Sequence, residues 1–341
     1  MTLSRLFQKS YPTLDWIQVE ISSYCNASCI YCPHTEYRRN WQNRHLPKEI
    51  FQKLIPSFAK TTLIYLQGWG EPFLHPEFFD LLQIAKKAGC MVGTTTNALG
   101  LNREIVRRLI QEGLDVIGFS LAGINKKNDT IRKGTSIKQT LACIELFHKE
   151  KNKLGANNPK IHIAYMLLQS ALDDLEKIPA FLAQSGADQT VVSSLYLALN
   201  RSLEAESILA TGKDEFQEFK SRLLETKAHS AKSGVDLHLH IVSPQKENFK
   251  CSENVNCAVV VGSDGSISPC VFTQIPVKGE NFYYFKGQKV AQRNLSFGNI
   301  QTESLNTTWH RKEYQRFLRS HLRGQIPKVC EKCLKGYIDH S

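Results

Sequence analysis

The chain has 341 residues, 42% of them hydrophobic and 22% charged, a balance that predicts an ordered globular protein and excludes the disordered and low-complexity classes. Lys and Arg number 43 against 32 Asp and Glu, giving a formal net charge of +11; no apolar run reaches the roughly 20 residues that span a bilayer, which excludes a helical membrane protein. Ten Cys in a chain whose Leu3–Phe7 patch is too short for an export signal predict a cytoplasmic protein whose clustered thiols bind metal rather than form disulfides.

In chain order, a strand-like run from Leu14 to Ile21 is followed by Cys25-Asn26-Ala27-Ser28-Cys29-Ile30-Tyr31-Cys32. Thiolates spaced by three and two residues can wrap three corners of an iron–sulfur cubane. Such clusters are usually held by four Cys, so the triplet leaves one iron for a small molecule. A zinc knuckle completed by His34 is the alternative, although zinc sites normally follow C-x2-4-C spacing with four closed ligands.

Strand-like runs then recur at Thr62–Gln67, Cys90–Thr95, Asp115–Ser120, Lys160–Leu168 and Thr190–Leu197. Amphipathic helical patterns follow, among them Pro76–Ala88, Asn102–Glu112 and Ser136–Lys149, with the polar stretch Lys149–Lys160 expected as a linker. Repeated strand–helix units imply a parallel sheet with right-handed crossovers. The second strand runs into Gly68-Trp69-Gly70-Glu71-Pro72, a ligand-binding position in parallel α/β sheets; alone it would be an ordinary turn before a helix. Cys90 and Cys143 read as small core residues.

Near Thr211 the rhythm gives way to one long helical pattern, Lys213–Lys232, and a strand at Val235–Val242, so the expected domains are 1–210 and 211–341. Within the second, Val259–Cys270 reads as a hairpin turning at Asp264-Gly265 and presenting Cys270 as a ligand. Phe297-Gly298-Asn299-Ile300, a helix bearing Trp309 and Cys330-Glu331-Lys332-Cys333 complete the tail. The basic groups Arg38, Arg39 and Arg44, and Arg316, Arg319 and Arg323 at helical spacing, read as solvated faces without the aromatic platform that nucleic acid binding would need.

The Cys triplet with Tyr31, its place after a strand, and Gly70-Glu71-Pro72 some forty residues on resemble the radical S-adenosylmethionine (SAM) superfamily. The tail resembles the SPASM and shorter twitch extensions of that superfamily. The resemblance implies an α/β fold, a partial (β/α)6 TIM-like barrel with a smaller cluster-binding α+β extension. It also implies a four-iron cluster on Cys25, Cys29 and Cys32 whose open iron chelates SAM. Gly70 and Glu71 would hold the SAM ammonium, and Tyr31, Asn97, Ser120 and Arg132 would make further contacts.

An auxiliary four-iron cluster would sit on Cys270, Cys330 and Cys333 with either Cys251 or Cys257 as fourth ligand, Cys251 being favoured. Because no Cys follows Cys333, one auxiliary cluster is the natural count; a structural zinc on the same thiolates is the alternative. The implied chemistry is reductive cleavage of SAM, fed by a low-potential flavodoxin- or ferredoxin-type donor, to a 5′-deoxyadenosyl radical that abstracts a substrate hydrogen. Oxidation of a small molecule, as in inosamine dehydrogenase, is the first expectation. A peptide or protein maturase is the second, disfavoured by the dozen residues before the first strand. A non-catalytic iron–sulfur or zinc protein that binds RNA is a third, against which Gly70-Glu71-Pro72 counts.

Overall fold

The computed structural model describes residues 11–208, 213–243 and 251–338; the Leu3–Phe7 patch and the boundary expected at 210/211 lie outside them. Strands β1 (Leu14–Val19), β2 (Thr61–Leu66), β3 (Met91–Thr96), β4 (Val116–Leu121), β5 (Lys160–Leu167) and β6 (Gln189–Ser194) hydrogen-bond in chain order, every pair parallel. The result is the expected open barrel. Side chains alternate across each strand. On β5, for example, Ile161, Ile163 and Leu167 enter the main core, whereas Ala164 and Met166 line a cavity.

The helices start and stop where local chemistry demands. Helix α1 (Phe78–Lys87) buries Phe78, Leu81, Leu82 and Ala85, and Lys86 in its last turn reaches Asp115 at 2.6 Å. Helix α2 (Arg103–Gln111) begins at Asn102, whose Oδ1 accepts the Ile105 N–H at 2.9 Å, an N-cap of the usual kind. Helix α3 (Ile137–Leu154) starts at Ser136 and stops at Gly155, where φ is +61°. The first half of the linker expected at Lys149–Lys160 is therefore helix, up to Leu154. Two of its polar residues are buried and partnered: Glu150 pairs with Arg103 at 3.4 Å and Lys153 at 3.1 Å, and Lys151 donates to the Pro159 carbonyl at 2.9 Å.

Helix α4 (Ile178–Ser185) precedes β6, and α5 (Lys213–Lys232) precedes β7 (Asp236–His240), which extends the parallel sheet beyond β6. At the opposite edge, β8 (Ala258–Val261) lies parallel to β1 with Trp16 beside Ala258 and Val19 beside Val261. Then β9 (Ser266–Ser268) folds back on β8 through the expected turn, with Gly265 at φ +78°. Strands β10 (Asn281–Phe285) and β11 (Gln288–Gln292) form a separate hairpin, and β12 (Gly298–Asn299) pairs with β9. The ten-stranded order is β12-β9-β8-β1-β2-β3-β4-β5-β6-β7. Helix α6 (Lys312–Leu322) follows, its Arg316 and Arg319 exposed as expected.

The two larger of three buried clusters divide the molecule, the third being Tyr196, Val242, Leu334 and Ile338. The main core fills the space between sheet and helices. A second, with Trp41, Leu195, Leu197, Ile275, Val277 and Tyr283, joins the cysteine loop, the end of β6 and the tail. No described helix is long and apolar enough to cross a membrane.

Since β8 covers one side of β1, removing the tail would expose an unpaired apolar strand edge, a template for aggregation. A chain ending after Ser243 is expected to elute in the void volume of a size-exclusion column. A soluble monomeric truncation would contradict this dependence.

Candidate functional site

Loops at the carboxyl ends of β1 to β6 enclose a cavity of about 300 Å³. Cys25, Cys29, Tyr31, Cys32, Gly70, Glu71, Asn97, Ser120 and Arg132 all line it, so the structure gathers every residue proposed for the first site. The cysteine loop is pinned by antiparallel pairing of Ser28 with Lys133 and Cys29 with Arg132, by the Ile30 N–H on the Ile131 carbonyl, and by Cys32 at the start of a short helix over Pro33–Glu36. His34 packs edge-on against Trp41 at 5.3 Å and does not line the cavity.

The loop after β2 is fitted tightly against this segment. The Glu71 N–H donates to the Tyr24 carbonyl at 2.7 Å. A Cβ on Gly70 would fall 2.3 Å from the Ser22 carbonyl oxygen and 2.6 Å from that of Tyr24, so only glycine lets the backbone approach. The Glu71 side chain is 2% exposed. Its Oε1 accepts the Thr96 hydroxyl at 2.8 Å and the Phe73 N–H at 3.3 Å, and its Oε2 accepts the Asn97 N–H at 2.8 Å. Burial pushes its carboxyl up to about 7 against those donors. Glu71 thus braces the ends of β2 and β3 as well as lining the cavity. Asn97 in turn donates through Nδ2 to Asn26 at 2.8 Å and lies 3.9 Å from the Cys25 sulfur.

Arg132, 5% exposed, donates to the Tyr31 hydroxyl, while its Nε finds no partner. Burial pushes the Cys25 thiol up to about 11 and Cys32 up to about 12. Such thiols ionise when a metal supplies the compensating positive charge, as iron does in a cluster. With three thiols, a buried cation and a glycine cradle facing one space, the residues fit a cubane and a small zwitterionic ligand. Among the described residues, no three His, Cys, Asp or Glu side chains gather as they would around a single ion.

A second cavity, of about 40 Å³, is lined by Cys251, Cys270, Cys330 and Cys333. Cys257 does not line it; it sits just before β8, its carbonyl accepting the Asp15 N–H at 2.7 Å. Burial again pushes Cys251, Cys270 and Cys333 up to about 12. Sequence reasoning missed the charged pair beside them. Lys335 meets Glu253 at 2.6 Å and lies 4.0 Å over the Tyr196 ring. Tyr196, Leu197 and Phe272 line both cavities. Glu20 was missed too: 1% exposed, it accepts the Trp69 N–H at 2.8 Å and the Ser263 hydroxyl at 2.8 Å. The available signal was a carboxylate inside the apolar run Ile17–Ile21.

Comparison with known proteins fits this geometry. Residues 19–178 match the radical SAM superfamily and residues 251–334 match an iron–sulfur cluster-binding domain, SPASM. The chain is 24% identical over 310 residues to the tungsten-containing aldehyde ferredoxin oxidoreductase cofactor-modifying protein of Pyrococcus furiosus, covering 89% of this chain and 83% of that protein. It is 24% identical over 315 residues to Fe-coproporphyrin III synthase of Methanosarcina barkeri, covering 87% and 73%. Among solved structures, Streptococcus suis SuiB bound to S-adenosylmethionine superposes with a TM-score of 0.65 at 15% identity over 96% of this chain and 72% of that one. The structure of anSMEcpe with AdoMet and the Cp18Cys peptide gives 0.66 at 17% identity over 96% and 88%. These superpositions establish the fold.

Gly70→Ala should displace the loop and weaken SAM binding about tenfold or more, since backbone atoms on both sides leave the methyl no room. Glu71→Gln, which turns an amide N–H₂ toward buried donors, should act in the same direction by about 1–3 kcal/mol. Equilibrium binding with iron content held at the parental value checks both; parental affinity in the two variants would refute the loop's assignment.

Proposed function

From the premise that the chain belongs to the radical SAM superfamily and carries a SPASM domain, we propose that it modifies a substrate by hydrogen abstraction as a maturase-type enzyme. Loaded with its four-iron cluster and SAM, the first cavity supplies reductive cleavage of the sulfonium and a carbon radical. Cys25, Cys29 and Cys32 hold the cluster. The Gly70–Glu71 backbone and Arg132 receive the amino and carboxylate ends of SAM, and Asn97 and Ser120 close its polar surroundings. A low-potential flavodoxin- or ferredoxin-type protein delivers the electron. Cys251, Cys270, Cys330 and Cys333 hold the auxiliary cluster.

The observation that carries the substrate reading is the charge distribution of the cavity. Its charged lining residues are Glu71 and Arg132, while Ala164, Met166, Val191, Leu195, Leu197 and Phe272 form an uncharged wall. Desolvating a charged group against such a wall is unfavourable. The group that reacts is therefore uncharged, as in many peptide or protein side chains. Likeness to a cofactor-modifying protein over most of both chains supports a maturation role. Two-electron oxidation of a small molecule is the second reading, favoured by the wall shared between the cavities, which lets one tail cluster accept an electron from a product radical.

Replacing Cys330 and Cys333 with Ala tests the division of labour. Cleavage of SAM to 5′-deoxyadenosine should persist, because the first cavity is untouched, and formation of modified product should stop. Circular dichroism and SAM binding report that the variant is folded. Parental turnover by the folded variant would remove the tail from the chemistry.

A further inference from the structure

The loop that carries Gly70 and Glu71 is held at two places. Its second half rests on the barrel, through Tyr24, Thr96 and Asn97. Its first half is held from the tail, and the residue between them is Glu20.

Glu20 follows β1 directly, its own N–H donating to the Val261 carbonyl of β8 at 2.8 Å. Oε1 accepts the Trp69 N–H at 2.8 Å; Oε2 accepts the Ser263 hydroxyl at 2.8 Å and the Ser263 N–H at 3.3 Å. Burial, reinforced by nearby Asp264, raises its carboxyl to about 7 against these donors. A carboxylate is costly in such a place, and three donors from two separate segments are what compensate it. Gly68 belongs to the same contact, since a Cβ there would fall 2.2 Å from the Glu20 Cγ. Trp69 adds a strap of its own: the indole N–H donates to the Gln274 carbonyl at 2.8 Å and the ring packs edge-on to Phe272 at 5.8 Å. The indole of Trp69, between Gly68 and Gly70, thus ties the loop to the tail.

We propose that Glu20 is a positioning residue whose carboxylate clasps the Gly68–Glu71 loop to the tail hairpin, coupling SAM binding in the first cavity to the fold of residues 262–274. The inference rests on the reading that this loop receives SAM. Ser263 gives it leverage, because Ser263 lines neither cavity. An effect of Ser263 on SAM affinity has no explanation by direct contact. Coupling between two sites is reciprocal. The hairpin steadies the loop, and bound SAM steadies the hairpin.

The test uses the protein carrying both clusters, with equilibrium SAM binding and amide hydrogen exchange over residues 262–274 as readouts. Glu20→Gln keeps one acceptor oxygen and turns an N–H₂ against the remaining donors. It should weaken SAM binding about tenfold, the size of one buried hydrogen bond left unmade, with iron content and circular dichroism unchanged. Ser263→Ala loses only the hydroxyl arm and should weaken binding about threefold, with the double variant non-additive. SAM should slow exchange of the hairpin in the parent and not in Glu20→Gln. Parental affinity in Ser263→Ala, or equal protection of the hairpin in the parent and Glu20→Gln, overturns the clasp. If Glu20→Gln does not fold, Ser263→Ala decides alone. Gly70→Ala separates the two ideas: if it also binds SAM normally the loop reading fails, and if it binds weakly while Ser263→Ala binds normally only the clasp fails.

Discussion

Strand β1 is hydrogen-bonded on both sides, by β2 from its own half of the chain and by β8 from the tail, and the rest of the architecture follows from that double pairing. A parallel strand needs its neighbours in register and its faces covered. With β8 supplying one neighbour, barrel and tail share one sheet. The carboxyl end of β1 then sits where the cysteine loop, the loop after β2 and the turn between β8 and β9 must all meet. Both cysteine sets consequently open on one region, divided by Tyr196, Leu197 and Phe272.

Charge within that region is arranged for a guest that brings charge of its own. The thiols of Cys25, Cys32, Cys251, Cys270 and Cys333 are driven up by burial, so without metal they are neutral and inexpensive to bury. Cationic iron reverses that balance. Arg132 sits beside the first set, with Nε unpartnered. Lys335, which burial pulls down but Glu253 and Tyr196 hold up, sits beside the second. A buried cation near each set of thiols favours the electron-rich form of whatever is bound there, by simple Coulomb attraction in a medium less screening than water. The ion pair with Glu253 keeps Lys335 compensated in the absence of a guest.

The wall between the cavities gives the tail its place in the proposed chemistry. Phe272 touches Trp69 on one side and Tyr196 on the other, at ring separations of 5.8 Å and 6.1 Å, and Lys335 lies over both Tyr196 and Phe272. A change in the tail therefore reaches the first cavity through packed aromatic contacts rather than through a flexible linker. The same aromatic side chains line the first cavity on the tail side, an apolar wall that suits chemistry which must exclude competing hydrogen donors.

The sequence by itself determined the features whose physics is local. Spacing put Cys25, Cys29 and Cys32 on one short loop; the strand–helix rhythm gave the open parallel sheet; Asp264-Gly265 gave the β8–β9 turn; apolar surroundings marked Cys90 and Cys143 as core. Tertiary structure decided what depends on which distant segments meet. That β8 would pair with β1 has no local signature, because a run such as Val259–Val261 suits any buried strand. The choice between Cys251 and Cys257, in which the sequence favoured the first, was decided by the packing of the tail, which puts Cys251 on the cavity and leaves Cys257 just before β8. Polar Lys149–Leu154 became helix because Arg103 and the Pro159 carbonyl were there to receive it. Nothing local marks the partners of Glu20 and Trp69, which appear only once Ser263 and Gln274 are folded against them. Periodicity and spacing encode backbone geometry and burial, whereas the partner of a buried polar group is chosen by the fold.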